Sequence, residues 1–368
     1  MPILSPPIQP MLARLARELP VGDYIYEPKW DGFRALAFAH CQSGREPQVE
    51  IQSRHGRPLG RYFPELTEAL TSLAASGGGL VIDGEIVIAG PGGFDFAALL
   101  NRIHPAASRV DRLRAETPAS FIAFDLLARD GADLMGAPFA DRRHALEALL
   151  AGASPPLLLT PATSDVTDAN AWLRNFHGRG VDGVVAKARA LRYEPGRRTM
   201  VKVKHEETVD CVVAGMRLRR DGDSSGGFRV SVASLLLGLY EGDGGCLRHV
   251  GVASTFTLQR RLELLDELAP LIVGAEGHPW ERDFNLGPSP MGRLPGSAGR
   301  WAAGEMERDW MPLCPSRVCE ITYDQRDGER FRHPGRFLRW RDDRDPRSCT
   351  TEQLAFLGPA PAALLQAS

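Results

Sequence analysis

The sequence has little that would place this protein in a membrane or outside the cell. No apolar run approaches the roughly 20 residues that a membrane-spanning helix needs. The N-terminal segment, MPILSPPIQPMLARLARELP, has no basic stretch followed by an apolar one, so we expect no secretory signal. These absences predict a cytoplasmic protein.

Cysteine is also scarce. The six cysteines stand far apart, at positions 41, 211, 246, 314, 319 and 349. No two of them form a CxxC pair, and a chain of 368 residues can bury enough apolar surface without disulfide bonds. The spacing therefore predicts reduced thiols and gives no support for a zinc site.

The chain lacks a strong excess of positive charge, since its net charge is −2. Any binding of nucleic acid would have to rest on local basic patches. Two stretches qualify. Basic residues outnumber acidic ones by more than two to one over residues 187–220, and arginine recurs every few residues over 326–347.

The pattern of apolar residues divides the chain into two parts. Up to about residue 205, strand-like segments alternate with fewer helix-like ones, which predicts an α+β domain with largely antiparallel sheets and flanking helices. Beyond that point, short strands separated by Gly- and Asp-rich turns surround one helix, TLQRRLELLDELAPLI, and a Gly-, Pro- and Trp-containing loop over roughly 273–302. This composition favours a small β-barrel of the OB type. We predict domains at 1–205 and 206–368.

The most informative motif is EPKWDGFR at residues 27–34, which places Lys29 before an Asp-Gly turn and Arg34 after it. Six further elements follow in order: SRHG (53–56), IDGEIV (82–87), FIAFDLL (121–127), VDGVVAK (181–187), VKVK (201–204) and FLRWRDDR (337–344). The series resembles that of the covalent nucleotidyltransferases, which comprise DNA ligases, RNA ligases and mRNA capping enzymes. The resemblance extends from residue 27 to residue 344.

Other segments resemble the short bacterial ATP-dependent DNA ligases of the ligase C type and the ligase module of the end-joining ligase D. These segments include PPIQPML, GRYFPEL, RIHPAASR and GERFRHPGRFLRWR. The resemblance implies a nucleotidyltransferase domain followed by an OB-fold domain. It further implies a nucleoid-associated, monomeric repair enzyme that uses ATP and Mg²⁺ or Mn²⁺ to seal nicked double-stranded DNA. The nicks would carry 3′-hydroxyl and 5′-phosphate ends, and other DNA-repair proteins are possible partners.

The chemistry explains why lysines recur in these motifs. An amine attacks phosphorus only when unprotonated, and an ordinary lysine with a pKa of about 10.4 is protonated at neutral pH. A lysine nucleophile therefore needs burial or neighbouring cations. By resemblance Lys29 is that nucleophile. Lys202 and Lys204 alternate with valines on one strand, so both point to one face and are the candidate cations.

The resemblance assigns further residues to catalysis and nucleotide binding. Asp31 belongs to the turn, where it would orient Lys29 or Arg34, and Phe124 would stack on adenine. The remaining nucleotide-binding candidates are Glu27, Arg34, Arg54, Glu85, Lys187, Arg198 (or Arg197 in its place), Lys202, Arg341, Asp343 and Arg344, of which the last three would orient pyrophosphate. Glu85 and Asp182 are the candidate metal ligands.

Two positions depart from the family pattern. Asp182 stands where glutamate is usual and is shorter by one methylene, so that a metal would be bound directly or through water, or not at all. Arg344 stands where lysine is usual and is not an equivalent donor. An RNA ligase, a GTP-dependent capping-type enzyme and a catalytically inactive OB-containing nucleic-acid-binding protein remain alternatives at this point.

Overall fold

A computed structural model describes residues 4–41, 46–90, 93–104, 106–176, 180–204, 207–222, 228–242, 245–281, 310–327, 329–355 and 364–365. The chain forms two compact units. The first contains residues 1–205 together with 358–368, and the second contains residues 206–357. One boundary between the two units falls at residues 205/206. Leu364 and Leu365, which fall in the range that we expected in the second domain, pack in the cluster of the first unit that contains Trp30.

The first unit contains two sheets. The smaller has the strand order β1-β11-β10-β2, with β1 at Leu12–Ala16, β2 at Tyr24–Trp30, β10 at Val181–Ala188 and β11 at Arg198–Val203. Strands β1 and β11 run parallel, whereas β10 is antiparallel to both β11 and β2. We did not predict β1, whose five-residue segment has no strict alternation of apolar and polar residues.

The larger sheet of the first unit has the order β4-β3-β5-β7-β8, and two short strands pair with its members. Its strands are β3 (Phe33–His40), β4 (Gln48–Ser53), β5 (Leu80–Gly90), β6 (Gly93–Phe94), β7 (Ala119–Arg129), β8 (Ala132–Asp133) and β9 (Leu157–Leu159). In the part of the first unit that the structure describes, five α-helices accompany the two sheets: α1 (Pro64–Gly77), α2 (Phe96–Arg102), α3 (Ala107–Glu116), α4 (Phe139–Leu149) and α5 (Val166–Asn175). Apart from the parallel pairs β1–β11 and β7–β9, the strand pairs are antiparallel, as the α+β prediction required.

The turn between β2 and β3 carries the chain from the smaller sheet to the larger one. Gly32 occupies this turn, where a Cβ atom would lie only 2.2 Å from the carbonyl oxygen of Ile86. Gly183 on β10 is equally constrained, since its φ is +142° and a Cβ would lie 2.1 Å from the carbonyl oxygen of Val203. Both glycines therefore permit close backbone approach at strands that carry motif residues.

Apolar side chains from α1, α2 and α4 cover one face of the larger sheet. The buried members include Phe63, Leu70, Leu99 and Leu146, each without accessible surface. The opposite face of that sheet forms a second cluster, which contains Met11, Leu36 and Tyr193. Burial on both faces explains why β5 and β7 read as continuous apolar runs instead of alternating ones.

The second unit is built on a five-stranded sheet with the order β14-β13-β12-β15-β18. Its elements are β12 (Glu207–Gly222), β13 (Phe228–Tyr240), β14 (Leu247–Ala253), α6 (Leu258–Leu268), β15 (Met311–Tyr323), β16 (Arg326–Asp327), β17 (Arg330–Phe331) and β18 (Arg336–Trp340). A bridge between Ala253 and Gly335 joins the end of β14 to the approach of β18, so the sheet curls toward closure. Among the described residues between β14 and β15, one α-helix, α6, is present, as in the predicted OB-type barrel.

Some expectations about the second unit change or lie outside the described residues. Strands β12 and β13 are long, with 16 and 13 residues, whereas we expected short strands. Most of the predicted loop over 273–302 falls outside the described residues, which end at 281 and resume at 310. Within the described part of the chain, no helix is both long and apolar enough to span a membrane.

Candidate functional site

A cavity opens between the two sheets of the first unit. The smaller sheet contributes side chains from β1, β2, β10 and β11, and the larger sheet contributes side chains from β3, β5 and β7. Nine of the predicted site residues line this cavity: Glu27, Lys29, Arg34, Arg54, Glu85, Phe124, Lys187, Arg198 and Lys202. Residues spread over 176 positions of sequence thus meet at one place, because the two sheets face each other there.

Lys29 lies at the end of β2 and is paired with Asp182 of β10. Its Nζ donates to Asp182 Oδ2 at 2.5 Å, and Nζ of Lys204 lies 3.1 Å from the same oxygen. The Asp182 side chain is only 1% exposed, and its other oxygen, Oδ1, is buried with no hydrogen-bond partner in the structure. Strands β2 and β10 and the residue that follows β11 therefore bring together a lysine, a shared carboxylate and a second lysine, and of these three Lys29 lines the cavity.

Lys202 adds a third ammonium group on the same side of the cavity. Burial lowers its pKa from the ordinary lysine value, and the charges of Lys29 and Lys204 lower it further. Arg54 lines the same cavity and acts in the same direction. The result is a concentration of positive charge suited to a polyanion such as a triphosphate.

Glu85 faces these cations from β5. Its Oε1 accepts a hydrogen bond of 3.1 Å from the backbone N–H of Gly32, which ties the carboxyl group to the turn after Lys29. Burial raises the pKa of Glu85 to about 7, although the charges of Lys29 and Arg34 act to lower it. A carboxyl group with this pKa changes its charge within the physiological pH range.

Arg34, which lines the cavity, is bound by residues that we did not predict. Its guanidinium makes two hydrogen bonds to Asp83, at 2.8 and 2.6 Å, and lies 4.7 Å from the ring centroid of Phe124. Tyr193 donates to Asp83 Oδ2 at 2.6 Å and accepts from the backbone N–H of Met11 at 3.0 Å. Burial raises the pKa of Tyr193 well above the ordinary value, and the charge of Asp83 raises it further. The phenol therefore stays a hydrogen-bond donor.

The motif residue Asp31 lies in the turn between β2 and β3. Its assignment to orienting Lys29 or Arg34 stays a prediction, while the guanidinium of Arg34 is bound by Asp83. The backbone N–H of Asp31 donates to the carbonyl of Gly180 at 2.9 Å, which fixes the turn to the start of β10. Asp31 is not among the residues lining the cavity.

The far end of the cavity is formed by Glu27, Phe124 and Lys187. Nζ of Lys187 lies 2.7 Å from Glu27 Oε2, donates to the carbonyl of Phe124 at 2.9 Å, and lies 4.3 Å from the ring centroid of Phe139. Leu12 and Met200 contribute apolar surface between the charged groups. An aromatic ring beside apolar side chains and few polar groups is a common lining for a planar ring ligand.

The sequence left open whether Arg197 or Arg198 is the nucleotide-binding candidate, and the two residues differ in their position relative to the cavity. Arg198 lines the cavity, whereas Arg197 is absent from its lining and accepts a backbone hydrogen bond from Leu12. Both side chains are exposed.

The predicted group in the second unit forms its own ion-pair cluster. Arg341 makes two hydrogen bonds of 2.9 Å to Asp343 and also bonds both oxygens of Asp210, at 3.1 and 2.9 Å. Arg344 donates to Asp210 Oδ2 at 2.6 Å. The hydrogen bond from Arg341 lowers the pKa of Asp343 to about 2. We did not predict Asp210, and the assignment of the arginines to pyrophosphate stays a prediction.

The site offers few carboxylate oxygens that could bind a divalent metal ion. Among the described residues no three or more His, Cys, Asp or Glu side chains group as a metal cage. The unpartnered Oδ1 of Asp182 and the carboxyl group of Glu85 are nevertheless oxygen donors of the kind that Mg²⁺ accepts. Mg²⁺ is usually held by one or two carboxylates, while phosphates and water complete its coordination.

Comparison with known proteins gives consistent results over most of the chain. The family model for an ATP dependent DNA ligase domain matches residues 2–204, and the model for an ATP dependent DNA ligase C terminal region matches residues 229–344. DNA ligase C2 of Mycolicibacterium smegmatis is 48% identical over 356 residues, which cover 96% of each chain. DNA ligase C of Mycobacterium tuberculosis is 46% identical over 355 residues, which cover 95% of this chain and 94% of that protein.

A longer relative matches the chain with only part of its length. The multifunctional non-homologous end joining DNA repair protein LigD of Mycobacterium tuberculosis is 36% identical over 272 residues. The match covers 72% of this chain but 32% of that protein. The similarity is therefore to one module of a larger molecule.

Proposed function

We propose that this chain, which belongs to the family of ATP-dependent DNA ligases, seals nicks in duplex DNA through an AMP group carried on Lys29. The reaction has three displacements. Lys29 Nζ attacks the α-phosphorus of ATP and expels pyrophosphate, which leaves a phosphoramide bond between lysine and AMP. AMP then passes to the 5′-phosphate at the nick. The 3′-hydroxyl finally attacks that phosphate and releases AMP.

The observation that carries this proposal is the position of Lys29 at the cationic end of the cavity. Before attack, the ammonium group must lose a proton. Asp182, whose Oδ2 is 2.5 Å from Nζ, is the nearest base and would take that proton. Lys204 on the same oxygen would compensate the charge of the carboxylate while Lys29 turns toward phosphorus.

Lys202 and Arg54 would bind the phosphates. Negative charge grows on the phosphoryl oxygens and on the leaving pyrophosphate during the first step. Fixed cations in a partly buried site stabilise that charge more strongly than they would in water. Lys202 is the better placed of the two, because it is partly buried beside the nucleophile, whereas Arg54 is exposed.

Phe124 and Lys187 would hold the purine at the other end of the cavity. The guanidinium of Arg34 and Nζ of Lys187 lie 4.7 and 4.9 Å from the ring centroid of Phe124. A base stacked on this ring would bring the ribose toward Glu85 and Arg198. These assignments rest on the lining of the cavity and on the resemblance of the motifs.

A divalent cation, Mg²⁺ or Mn²⁺, would neutralise phosphate charge during each displacement. Asp182, through its free Oδ1, and Glu85 are the residues that would hold it. Because Asp182 is one methylene shorter than glutamate, its oxygen reaches less far, and it would hold the cation directly or through water.

The nucleic-acid partner would be nicked double-stranded DNA, which implies action at the nucleoid in the cytoplasm. The basic stretches at 187–220 and 326–347 supply the arginines and lysines for contact with phosphates. We propose that the protein acts as a monomer. We also propose a role in DNA repair, since a relative is an end-joining DNA repair protein.

The substrate class is tested by sealing assays on one set of nicked duplexes. Nicked DNA/DNA, RNA/DNA and RNA/RNA duplexes should each be incubated with the protein and either ATP or GTP. The proposal predicts sealing of nicked DNA with ATP and none with GTP. Exclusive sealing of RNA/RNA would instead indicate an RNA ligase, and adduct formation with GTP alone would indicate a capping-type enzyme. Lys29→Arg, which keeps the charge, is the matched inactive control.

A further inference from the structure

Arg143 is a buried cation that contacts the cavity residue Glu27 from outside the cavity. It lies on α4, and its side chain is only 6% exposed. Its Nη1 donates to Glu27 Oε1 at 3.2 Å, and its Nη2 donates to the carbonyl of Thr160 at 2.8 Å. On its outer side, Nε donates to Glu147 Oε1 at 2.7 Å. No motif of the sequence points to this residue.

Glu27 is thereby held between two cations. Arg143 binds one carboxylate oxygen, and Lys187 lies 2.7 Å from the other. A buried carboxylate is costly unless it is paired, and these two cations pair with that of Glu27, whose side chain is only 4% exposed. Each carboxylate oxygen accepts two hydrogen bonds, and each has used one. Each oxygen therefore keeps one position for an incoming donor.

The position of Glu27 in the cavity indicates which part of a bound nucleotide would carry the incoming hydrogen-bond donor. Glu27 and Lys29 are two residues apart on β2 and both line the cavity, as strand alternation requires. Lys29 is at the end with the cations, whereas Glu27 contacts Lys187, whose Nζ bonds the carbonyl of Phe124. Glu27 therefore lies at the end that the proposed function gives to the base.

We propose that Arg143 is a positioning residue for base selection, which fixes Glu27 as a charged acceptor for the exocyclic amine of adenine. This inference rests on the proposed function, because it requires a purine nucleotide in this cavity. Thr160 strengthens the arrangement. Its carbonyl accepts from Arg143, which binds Glu27, and its hydroxyl accepts from the indole N–H of Trp30 at 2.8 Å. Glu27 and Trp30, which stand on either side of Lys29 in β2, are therefore both linked to Thr160.

The test compares ATP with purine riboside triphosphate, which lacks only the exocyclic amine. Self-nucleotidylation of the full-length protein gives kcat/KM for each nucleotide. A hydrogen bond to a charged group contributes roughly tenfold or more to discrimination, and we expect wild type to prefer ATP by about that factor. Arg143→Met should raise KM for ATP several-fold and leave KM for the analogue and both kcat values nearly unchanged. The preference would then fall toward one.

The variants separate positioning from folding. Glu147→Ala removes only the outer contact of Arg143 and should keep the preference of wild type. Arg143→Lys retains a charge and should restore part of the preference. If Arg143→Met does not fold, Glu27→Gln, which keeps the side-chain volume but leaves a neutral and weaker acceptor, should show a reduced preference in its place.

Three outcomes would overturn the inference. Arg143→Met and Glu27→Gln could lower kcat/KM equally for both nucleotides, which would mean a purely structural role. Wild type could show no preference for the amine. Wild type could also form no adduct with either nucleotide, in which case the proposed function itself fails; adduct formation by wild type with an unchanged ratio in the variants refutes only the role of Arg143.

Discussion

Glu85→Gln is expected to stabilise the nucleotide-free protein above neutral pH relative to wild type. Burial raises the pKa of Glu85 from 4.5 to about 7, against the opposing charges of Lys29 and Arg34. The folded protein therefore holds this proton more tightly than the unfolded chain does. The stabilising contribution is complete below about pH 4.5 and is lost as the pH rises through about 7. Glutamine stays neutral and loses nothing over that range.

The magnitude follows from the two pKa values. The difference between 4.5 and about 7 corresponds to at most about 3 kcal/mol. Glu85 lies on the cavity wall and is partly exposed, so solvent screens part of the penalty, and we expect about 1–2 kcal/mol. The amide oxygen of glutamine can still accept the hydrogen bond from Gly32, so the substitution should leave the turn intact.

The assay is urea unfolding of wild type and Glu85→Gln, free of bound nucleotide, at pH 5 and pH 8.5. The free energy of unfolding of wild type should fall relative to that of the variant by about 1–2 kcal/mol between the two pH values. Glu116→Gln, on the exposed surface of α3, is the matched control and should follow wild type at both pH values. The same wild-type-minus-variant difference at pH 5 and pH 8.5 would refute the reasoning.

Two further substitutions test Tyr193 and Asp210, which bind the predicted site residues or their direct partners. Tyr193→Phe removes a 2.6 Å hydrogen bond to buried Asp83, so urea unfolding should show a loss of roughly 1.5–3 kcal/mol, while adduct formation at saturating ATP persists; unchanged stability would contradict the role given to this phenol. Asp210→Asn removes the carboxylate charge that holds Arg341 and Arg344, so calorimetry should show a lower melting temperature at low salt, with a smaller difference at high salt; a difference independent of salt would argue against an ionic contribution.

The parts of the site that sequence could predict are those with a local signature. A lysine before an Asp-Gly turn, a DGE strand and a strand of alternating lysines and valines each reveal which side chains share a face. The predicted cavity residues therefore came together even though the sheet order was not predicted. Resemblance to a family supplied the roles, and the two-sheet arrangement supplied the proximity.

The residues that sequence did not indicate act through contacts between distant segments. Tyr193 reaches Asp83 across 110 positions, and Arg143 reaches Glu27 across 116. A buried arginine on a helix has no periodicity that distinguishes it from an exposed one, so only tertiary packing identifies its partner. The same reason explains why Asp210 was missed. Its neighbours in sequence are ordinary strand residues, whereas its ion-pair partners lie more than 130 positions away.

The most direct test of the central claim is the mass of the intact protein after incubation with ATP and Mg²⁺. We predict an increase equal to one AMP, mapped by peptide fragmentation to Lys29 and lost on addition of pyrophosphate. Lys29→Arg should show no increase, while Lys202→Arg should still form the adduct, more slowly. An AMP group on any other residue, or an unmodified wild-type protein, would contradict the account.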